Sequence, residues 1–361
     1  MFKQDSFVFI SGCGHHELDA DVLERINKLS NSSYEFFTVQ NGVFADNELD
    51  TLIPQYEVLA NKNVVIMQST YNLALKEELL SLIFACKYQY QAKSVTAILP
   101  FMLYRRQDHP ERPIEIHRNL MMIKELKAVG LDNIVFIDIH SNITLENCHQ
   151  EGIRAWNIDT SAAFRDFILQ SLMECASHDQ HCYVYSPDIG SIRRCLNLYT
   201  ELCVGLKKNN FDTKILQLSV FPKIRRTTGQ VEMITDEEVL KKIQTEFADY
   251  PIIFDDQLLQ GAWVVMRDDE ISTGGTANKV GRRLKELGVN TLLYCITHPV
   301  LAPGWKRIFF NNNPFSPNSI FFGNTRPRGY ENSTFGLVTK VDVSYEVARS
   351  LLNIFREISP A

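Results

Sequence analysis

No apolar run in this 361-residue chain approaches the roughly 20 residues that cross a bilayer. The opening Met1-Phe2-Lys3-Gln4-Asp5-Ser6 lacks a basic segment leading into a sustained apolar one, so the expected location is cytoplasmic. The eight cysteines, Cys13, Cys86, Cys148, Cys175, Cys182, Cys195, Cys203 and Cys295, include no Cys-x-x-Cys pair, which argues against a zinc site. Eight is also few for a disulfide framework at this length, and reduced, buried thiols are expected. There is no basic excess. Lys and Arg number 37 against 43 Asp and Glu, a net charge of −6 that does not recruit nucleic acid by counterion release. Neither nucleic acid nor a membrane is therefore an expected partner. No short-period repeat is present.

What is present is an alternation of short apolar runs with helical patterns. Strands are expected at Phe7–Ser11, Asn63–Gln68, Ser94–Pro100, Ile134–Ile139, Cys182–Ser186, Lys214–Leu218, Ala262–Arg267 and Thr291–Thr297. Apolar residues at helical spacing predict helices over Asp19–Leu29, Leu73–Tyr90, Ile114–Val129, Thr160–Cys175, Ile189–Leu206 and Thr276–Leu287. Continuous apolar strands alternating with helices are the mark of parallel sheets covered on both faces, an α/β class. Length and pattern predict two such halves, residues 1–150 and 151–361. The strand and helix of Val338–Phe355 would close either half.

In open α/β sheets ligands sit beyond the C-terminal ends of strands. Four polar clusters follow apolar strands, at Arg106, Asp138, Asp188 and Asp268. The strongest is Val264-Val265-Met266-Arg267-Asp268-Asp269-Glu270-Ile271-Ser272-Thr273-Gly274-Gly275-Thr276, where a strand delivers two carboxylates and a Thr-Gly-Gly-Thr turn opens a helix. Glycines admit a phosphate close to backbone N–H groups, and hydroxyls and the helix N-terminus add donors. The acidic pair suits the ribose 2′- and 3′-hydroxyls or hydrated Mg²⁺. Asp268, Asp269, Ser272, Thr273, Gly274, Gly275 and Thr276 are thus the candidate grip on a phosphorylated ribose. The bland alternative is an ordinary strand-to-helix turn with surface acids.

The other clusters are weaker alone. A single His140 is more often structural, and Lys223 by itself reads as a solvated charge. Asp188 could be a plain N-cap, but at a strand end facing the other clusters it is better explained by Mg²⁺, and Arg193-Arg194 suits an anion or a plain helix surface. His15 and His16 are read as capping the first helix rather than touching nucleotide.

Together, in order, the clusters resemble the ribose-phosphate diphosphokinases (phosphoribosyl-pyrophosphate synthetases), and the resemblance covers nearly the whole chain. The Asp268–Thr276 segment resembles the phosphoribosyl-pyrophosphate loop of type I phosphoribosyltransferases. Phe44-Ala45-Asp46-Asn47-Glu48 resembles the family's Phe-x-(Asn/Asp)-x-Glu loop, and Tyr104-Arg105-Arg106-Gln107-Asp108 its Tyr-x-Arg-Gln-Asp motif. The resemblance implies ATP contacts at Phe44, Asp46, Asn47, Glu48, Arg106, Gln107 and Asp108. Asp138-Ile139-His140 resembles Asp-Leu-His, and Ser186-Pro187-Asp188-Ile189-Gly190 resembles Ser-Pro-Asp-x-Gly. These imply Mg²⁺ at Asp138, His140 and Asp188. Lys223-Ile224-Arg225 resembles the Lys-x-Arg of the mobile catalytic loop, implying catalytic roles for Lys223 and Arg225 beside His140. The implied fold is two tandem phosphoribosyltransferase-like, Rossmann-like domains with parallel sheets flanked by helices. The implied activity is Mg²⁺-dependent pyrophosphate transfer from ATP to ribose 5-phosphate in a homo-oligomer, whose Phe44–Glu48 loop acts in the ATP site of a neighbouring subunit.

Three features depart from the family. Ser272 stands where the loop usually carries Asp. The stretch from Asp108 to Ile114 is shorter and less basic. The chain between Lys223 and Asp268 is longer, with an added helix expected over Thr235–Phe247. All three lie towards the sugar-phosphate end, so an alternative acceptor is a 5-substituted ribose such as ADP-ribose, in NAD salvage. Two other classes remain: a non-catalytic regulatory subunit of the same fold, and a phosphoribosyltransferase that consumes the activated sugar. The ATP-type motifs argue against the second. The retained His140, Asp188, Lys223 and Arg225 argue against the first.

Overall fold

The computed structural model describes residues 6–110, 112–177, 180–220, 223–225, 231–233, 241, 245–247, 250, 252–253, 256–310, 313–328 and 336–358. The chain divides into two compact units. One comprises Met1–Thr160 with Thr325–Pro327 and Val343–Ala361, the other Ser161–Asn324 with Arg328–Asp342.

The first unit is built on a parallel sheet of β1 (Phe7–Ser11), β2 (Glu35–Thr38), β5 (Asn63–Met67), β6 (Ser94–Leu99), β7 (Asn133–Ile137) and β8 (Arg154–Ile158), in the order β2-β1-β5-β6-β7-β8. Its inner strands are apolar on both sides because both faces are covered. Val8 and Ile10 of β1 and Val64 and Ile66 of β5 join one core. Leu79, Leu82 and Ile83 of α2 (Leu73–Phe84) and Met122, Ile123 and Leu126 of α3 (Arg118–Ala128) complete it. The alternate residues face the other way: Phe7 and Phe9 meet the Phe355 ring at 5.0 and 5.8 Å. Phe355 belongs to the final helix, Ser344–Ile358, which therefore closes the first unit, while the strand before it, Val338–Val341, joins the second. Each such ring stabilises by about 1.5–3 kcal/mol through burial.

The edge strands β2 and β8 are only partly buried, which is why neither shows a continuous apolar run. A separate antiparallel hairpin, β3 (Gln40–Val43) with β4 (Leu49–Leu52), carries residues 44–48 at its exposed tip. The helix expected from Ile114 starts only at Arg118, and Ile114 and Ile116 are exposed in the loop before it.

Helix α1 (His16–Ser30) follows β1, and His15 caps it by accepting from Leu18 N. One turn in, Asp19 is fully buried and accepts from Ser11 Oγ at 2.7 Å. Burial pushes its carboxyl well above the usual carboxylate range, with the Ser11 bond opposing. A raised native pKa means the folded state holds a proton after the unfolded chain has released it near pH 4. Stability from this group is then complete below pH 4 and is lost as pH rises through the native pKa. Asp19→Asn is expected to flatten that decline in a series of melting curves from pH 4 to 8; parallel wild-type and variant profiles would refute it.

The second unit holds a parallel sheet in the order β13-β10-β9-β14-β15-β16-β17. Its strands are β9 (Cys182–Ser186), β10 (Leu216–Val220), β13 (Ile252–Ile253), β14 (Trp263–Ile271), β15 (Thr291–Pro299), β16 (Ser319–Gly323) and β17 (Val338–Val341). Val184 and Val265 face a core with Phe164 and Ile168 of α5 (Ser161–Ser177) and with α6 (Ile192–Lys208). Tyr183, Tyr185, Val264 and Met266 face the opposite core, with Ala277, Val280 and Leu284 of α7 (Gly275–Glu286). β11 (Lys223–Arg225) and β12 (Val231–Met233) form a small antiparallel pair. Most of the helix expected over Thr235–Phe247 lies outside the described residues; Lys241, Thr245 and Glu246 within it are helical. Among the described residues no helix is long and apolar enough to cross a membrane.

Candidate functional site

In the second unit the chain runs from β9 outward to β10, then returns to pair β14 on the other side of β9. The reversal opens a crevice at the C-terminal ends of β9 and β14, where such sheets bind ligands. Both candidate segments are there. Asp188 follows β9, and its carboxylate accepts from Ser191 N at 3.0 Å, so it does cap the turn leading into α6. Asp268 and Asp269 lie within β14, not after it: the strand runs on to Ile271, four residues past the expected end at Arg267, because it stays paired with β15 as far as Pro299.

The carboxylates form a strained electrostatic group. Asp268 accepts from Asp269 N at 2.8 Å and Ser191 Oγ at 3.4 Å, with Arg194 at 3.8 Å. Burial pushes the Asp268 carboxyl well above the usual range, Asp269 and Asp188 push it further, and Arg194 opposes them. Carboxylates gathered in this way fit a cation or the hydroxyl donors of a sugar diol.

The turn that follows is held from below. Leu301 N donates to Ile271 O and Ala302 N to Ser272 O, at 2.9 and 3.0 Å. Gly274 has φ +85°, and a Cβ there would lie 2.6 Å from the Phe309 ring, so both backbone shape and packing demand glycine. Thr273 is exposed, Ser272, Gly275 and Thr276 are half-buried, and α7 begins at Gly275. Exposed hydroxyl, glycine backbone and the N-terminus of a 12-residue helix are together chemically suited to an anion.

Arg267 is absent from the candidate residues named above, yet it supports the site. It is fully buried, donates to Asp268 O at 2.7 Å and Thr297 Oγ1 at 2.9 Å, and stacks 4.6 Å from the Phe164 ring. It ties the middle of β14 to β15 beside the acidic pair. The signal for it in the sequence is an arginine directly after the apolar run Val264-Val265-Met266, which is rare inside a buried strand without a partner network.

In the first unit the corresponding crevice between β1 and β5 is filled by the protein itself. Gln68 Oε1 accepts from Gly14 N at 3.0 Å, and Glu78 accepts from Cys13 N at 2.7 Å and Asn41 Nδ2 at 2.6 Å. A Cβ on Gly12 would meet Gln68 Oε1 at 2.1 Å. Of the candidate ATP residues, Arg106, Gln107 and Asp108 lie instead after β6, and the candidate Mg²⁺ residues Asp138 and His140 lie after β7. Arg106 and Gln107 are exposed, whereas their neighbours Arg105 and Asp108 are buried. His140 is exposed; Asp138 is buried and accepts from Thr160 Oγ1. Tyr104 and Asp138 have φ +62° and +43°, left-handed conformations that non-glycine residues hold only when the surroundings impose them. Here Arg105 bridges the two loops, donating to Asp138 O at 3.2 Å and lying over the Phe101 ring.

The hairpin tip places Phe44, Asp46, Asn47 and Glu48 together in solvent. Phe44 N donates to Glu48 O, Glu48 N to Asp46 Oδ1, and Asn47 takes φ +70° to close the turn. Lys223 and Arg225 stand on the strand β11; residues 221–222 and 226–230 on either side of it lie outside the described residues. Among the described residues no three His, Cys, Asp or Glu side chains gather as a metal cage. Mg²⁺ takes one or two protein ligands and fills its octahedron with phosphate oxygens and water, so His140 or Asp188 remains chemically suitable.

The family model for the N-terminal domain of ribose phosphate pyrophosphokinase matches residues 7–130. A ribose-phosphate pyrophosphokinase of Campylobacter jejuni is 28% identical over 264 residues, 72% of this chain and 71% of that protein. One from Sulfurisphaera tokodaii is 24% identical over 347 residues, 95% of this chain and 100% of that protein. The crystal structure of phosphoribosylpyrophosphate synthetase from Mycobacterium smegmatis shares the fold, with TM-score 0.73, 20% identity and coverage of 98% and 99%.

Proposed function

We propose that this chain, like the ribose-phosphate pyrophosphokinases it resembles, transfers pyrophosphate from ATP to the C1 hydroxyl of ribose 5-phosphate, giving phosphoribosyl pyrophosphate and AMP. The observation that carries this reading is the crevice of the second unit, where Asp268, Asp269 and the Ser272–Thr276 turn combine a diol acceptor with a phosphate cradle.

In the reaction the sugar oxygen forms a bond to the β-phosphorus, the bond from that phosphorus to the α,β-bridging oxygen breaks, and AMP leaves with the electron pair. The hydroxyl proton passes to solvent. Such transfer needs alignment and charge neutralisation more than covalent catalysis. Asp268 and Asp269 accept from the 2′- and 3′-hydroxyls and orient the sugar, and the turn with the N-terminus of α7 holds the 5-phosphate. The exposed Arg106 and Gln107, with the tip Phe44–Glu48, supply charge, amide donors and a ring face for ATP. Lys223 and Arg225 neutralise charge developing on the transferred and departing phosphates. His140 in the first unit and, separately, Asp188 in the second are each suited to a Mg²⁺ that would supply further neutralisation of the triphosphate.

The exposed apolar Val43 and Phe44 support a homo-oligomer in which this tip completes a neighbouring ATP site. A cytoplasmic location is part of the same proposal.

A second reading is favoured by Ser272. A neutral hydroxyl replaces a carboxylate in the cradle, which suits a 5-phosphate bearing a further group, as in ADP-ribose. Both readings are tested by incubating the protein with ATP, Mg²⁺ and each sugar and following AMP. Release with ribose 5-phosphate alone supports the first, release with ADP-ribose alone the second. Release with neither removes the enzyme reading and leaves the regulatory subunit. Phosphoribosyl pyrophosphate consumed without ATP would mark a transferase.

A further inference from the structure

Asp108 closes the ATP-type motif, yet its surroundings do not leave it to a nucleotide. The residue is 1% exposed. Oδ1 accepts from His109 Nδ1 at 2.8 Å, and Oδ2 accepts from Ser141 Oγ. Its backbone carbonyl accepts from His117 Nε2. Both carboxylate oxygens and the main-chain oxygen are thus engaged within the unit, while Arg106 and Gln107 beside it point to solvent.

Ser141 is the residue after His140, on the loop that follows β7, whereas Asp108 is on the loop that follows β6. The bond between them is the centre of a longer seam. Arg105 reaches Asp138 O at 3.2 Å on one side. On the other, Asn119 N donates to Gln107 O at 3.1 Å and Asn119 Nδ2 to Thr144 Oγ1 at 3.3 Å, and Asn147 donates to Asn119 Oδ1. Asn119 and Thr144 are buried, so these bonds are shielded from competition by water.

We infer that Asp108 is a positioning residue: it locks the loop carrying Arg106 and Gln107 to the loop carrying His140, so that both move as one rigid block. This rests on the proposed ATP-dependent transfer, where a block ordered in advance spares the entropy of aligning two loops on one triphosphate. The oxygens of Asp108 act through Ser141, His109 and His117 and touch no substrate.

The test joins kinetics with amide hydrogen exchange on the substrate-free full chain. Asp108→Ala is expected to raise KM for ATP about tenfold, the effect of one charged hydrogen bond lost from the block, with KM for the sugar unchanged. Exchange should accelerate together in residues 103–107 and 139–144. Ser141→Ala, which leaves the carboxylate intact, should reproduce the paired acceleration, and the double variant should add less than the sum of the two. Asp108→Asn, which keeps one acceptor, should restore part of the loss. If Asp108→Ala weakens ATP while residues 139–144 exchange as in wild type, Asp108 is a direct ligand and the inference falls. It falls equally if Ser141→Ala changes neither loop. Should Asp108→Ala not fold, Ser141→Ala alone decides between these outcomes. A wild-type protein that releases no AMP would refute the proposed reaction, and the exchange readout would still judge the block.

Discussion

Lys223→Ala is expected to lower kcat for AMP release by roughly 10³-fold, about 4 kcal/mol of barrier, with no change in melting temperature. The charge it would meet develops on the β-phosphate and on departing AMP, so it stabilises the transition state more than bound ATP. kcat and kcat/KM should therefore fall together. Among the described residues β11 and β12 pair with each other and join neither large sheet, so the substitution leaves the register of both large sheets in place. Steady-state rates at saturating ATP and sugar provide the check. A variant within about threefold of wild type would remove Lys223 from catalysis and favour the non-catalytic reading.

Gly274→Ala should be the most damaging small substitution in the sugar-phosphate grip. Two costs add. An alanine at φ +85° is strained, and its Cβ would lie 2.6 Å from the Phe309 ring. Together these are worth roughly 2–5 kcal/mol. Phe309 cannot swing aside cheaply, because it is buried and its ring packs edge-on against Tyr294 at 6.1 Å. The easier response is for the turn to move, carrying Thr273 and the N-terminus of α7 away from the phosphate. KM for the sugar should therefore rise about 100-fold while KM for ATP changes little. Titration with sugar phosphate, together with a melting curve, measures both effects. An unchanged sugar KM would place the phosphate elsewhere.

Strand and helix periodicity locates the inner strands and most helices, since a strand buried on both faces has to be apolar at every position. Edge strands escape for the same reason: Glu35–Thr38 and Arg154–Ile158 bury only part of their surface. The hairpin Gln40–Val43 with Leu49–Leu52 escapes because its strands are short, mix polar and apolar residues, and have none that is fully buried. The Asp268–Thr276 segment is legible as a chemical unit because its parts are adjacent in sequence and a phosphate cradle is a local object.

The sequence by itself determined the α/β class, the two acids ahead of Thr-Gly-Gly-Thr, and the order of motifs that resembles the ribose-phosphate pyrophosphokinases. Only the tertiary structure decided which members of those motifs face outward. In Arg105-Arg106-Gln107-Asp108 the middle pair is exposed and the outer pair buried, because Asp138 and Ser141, some 33 positions away, claim Arg105 and Asp108. It also decided that Phe309, 35 positions beyond Gly274, forbids a side chain there, and that Gln68 and Glu78 fill the first unit's crevice while carboxylates line the second's. The reason is common to all three. Periodicity and motif spacing report neighbours along the chain, whereas burial and hydrogen bonding depend on segments that meet only when the sheets form.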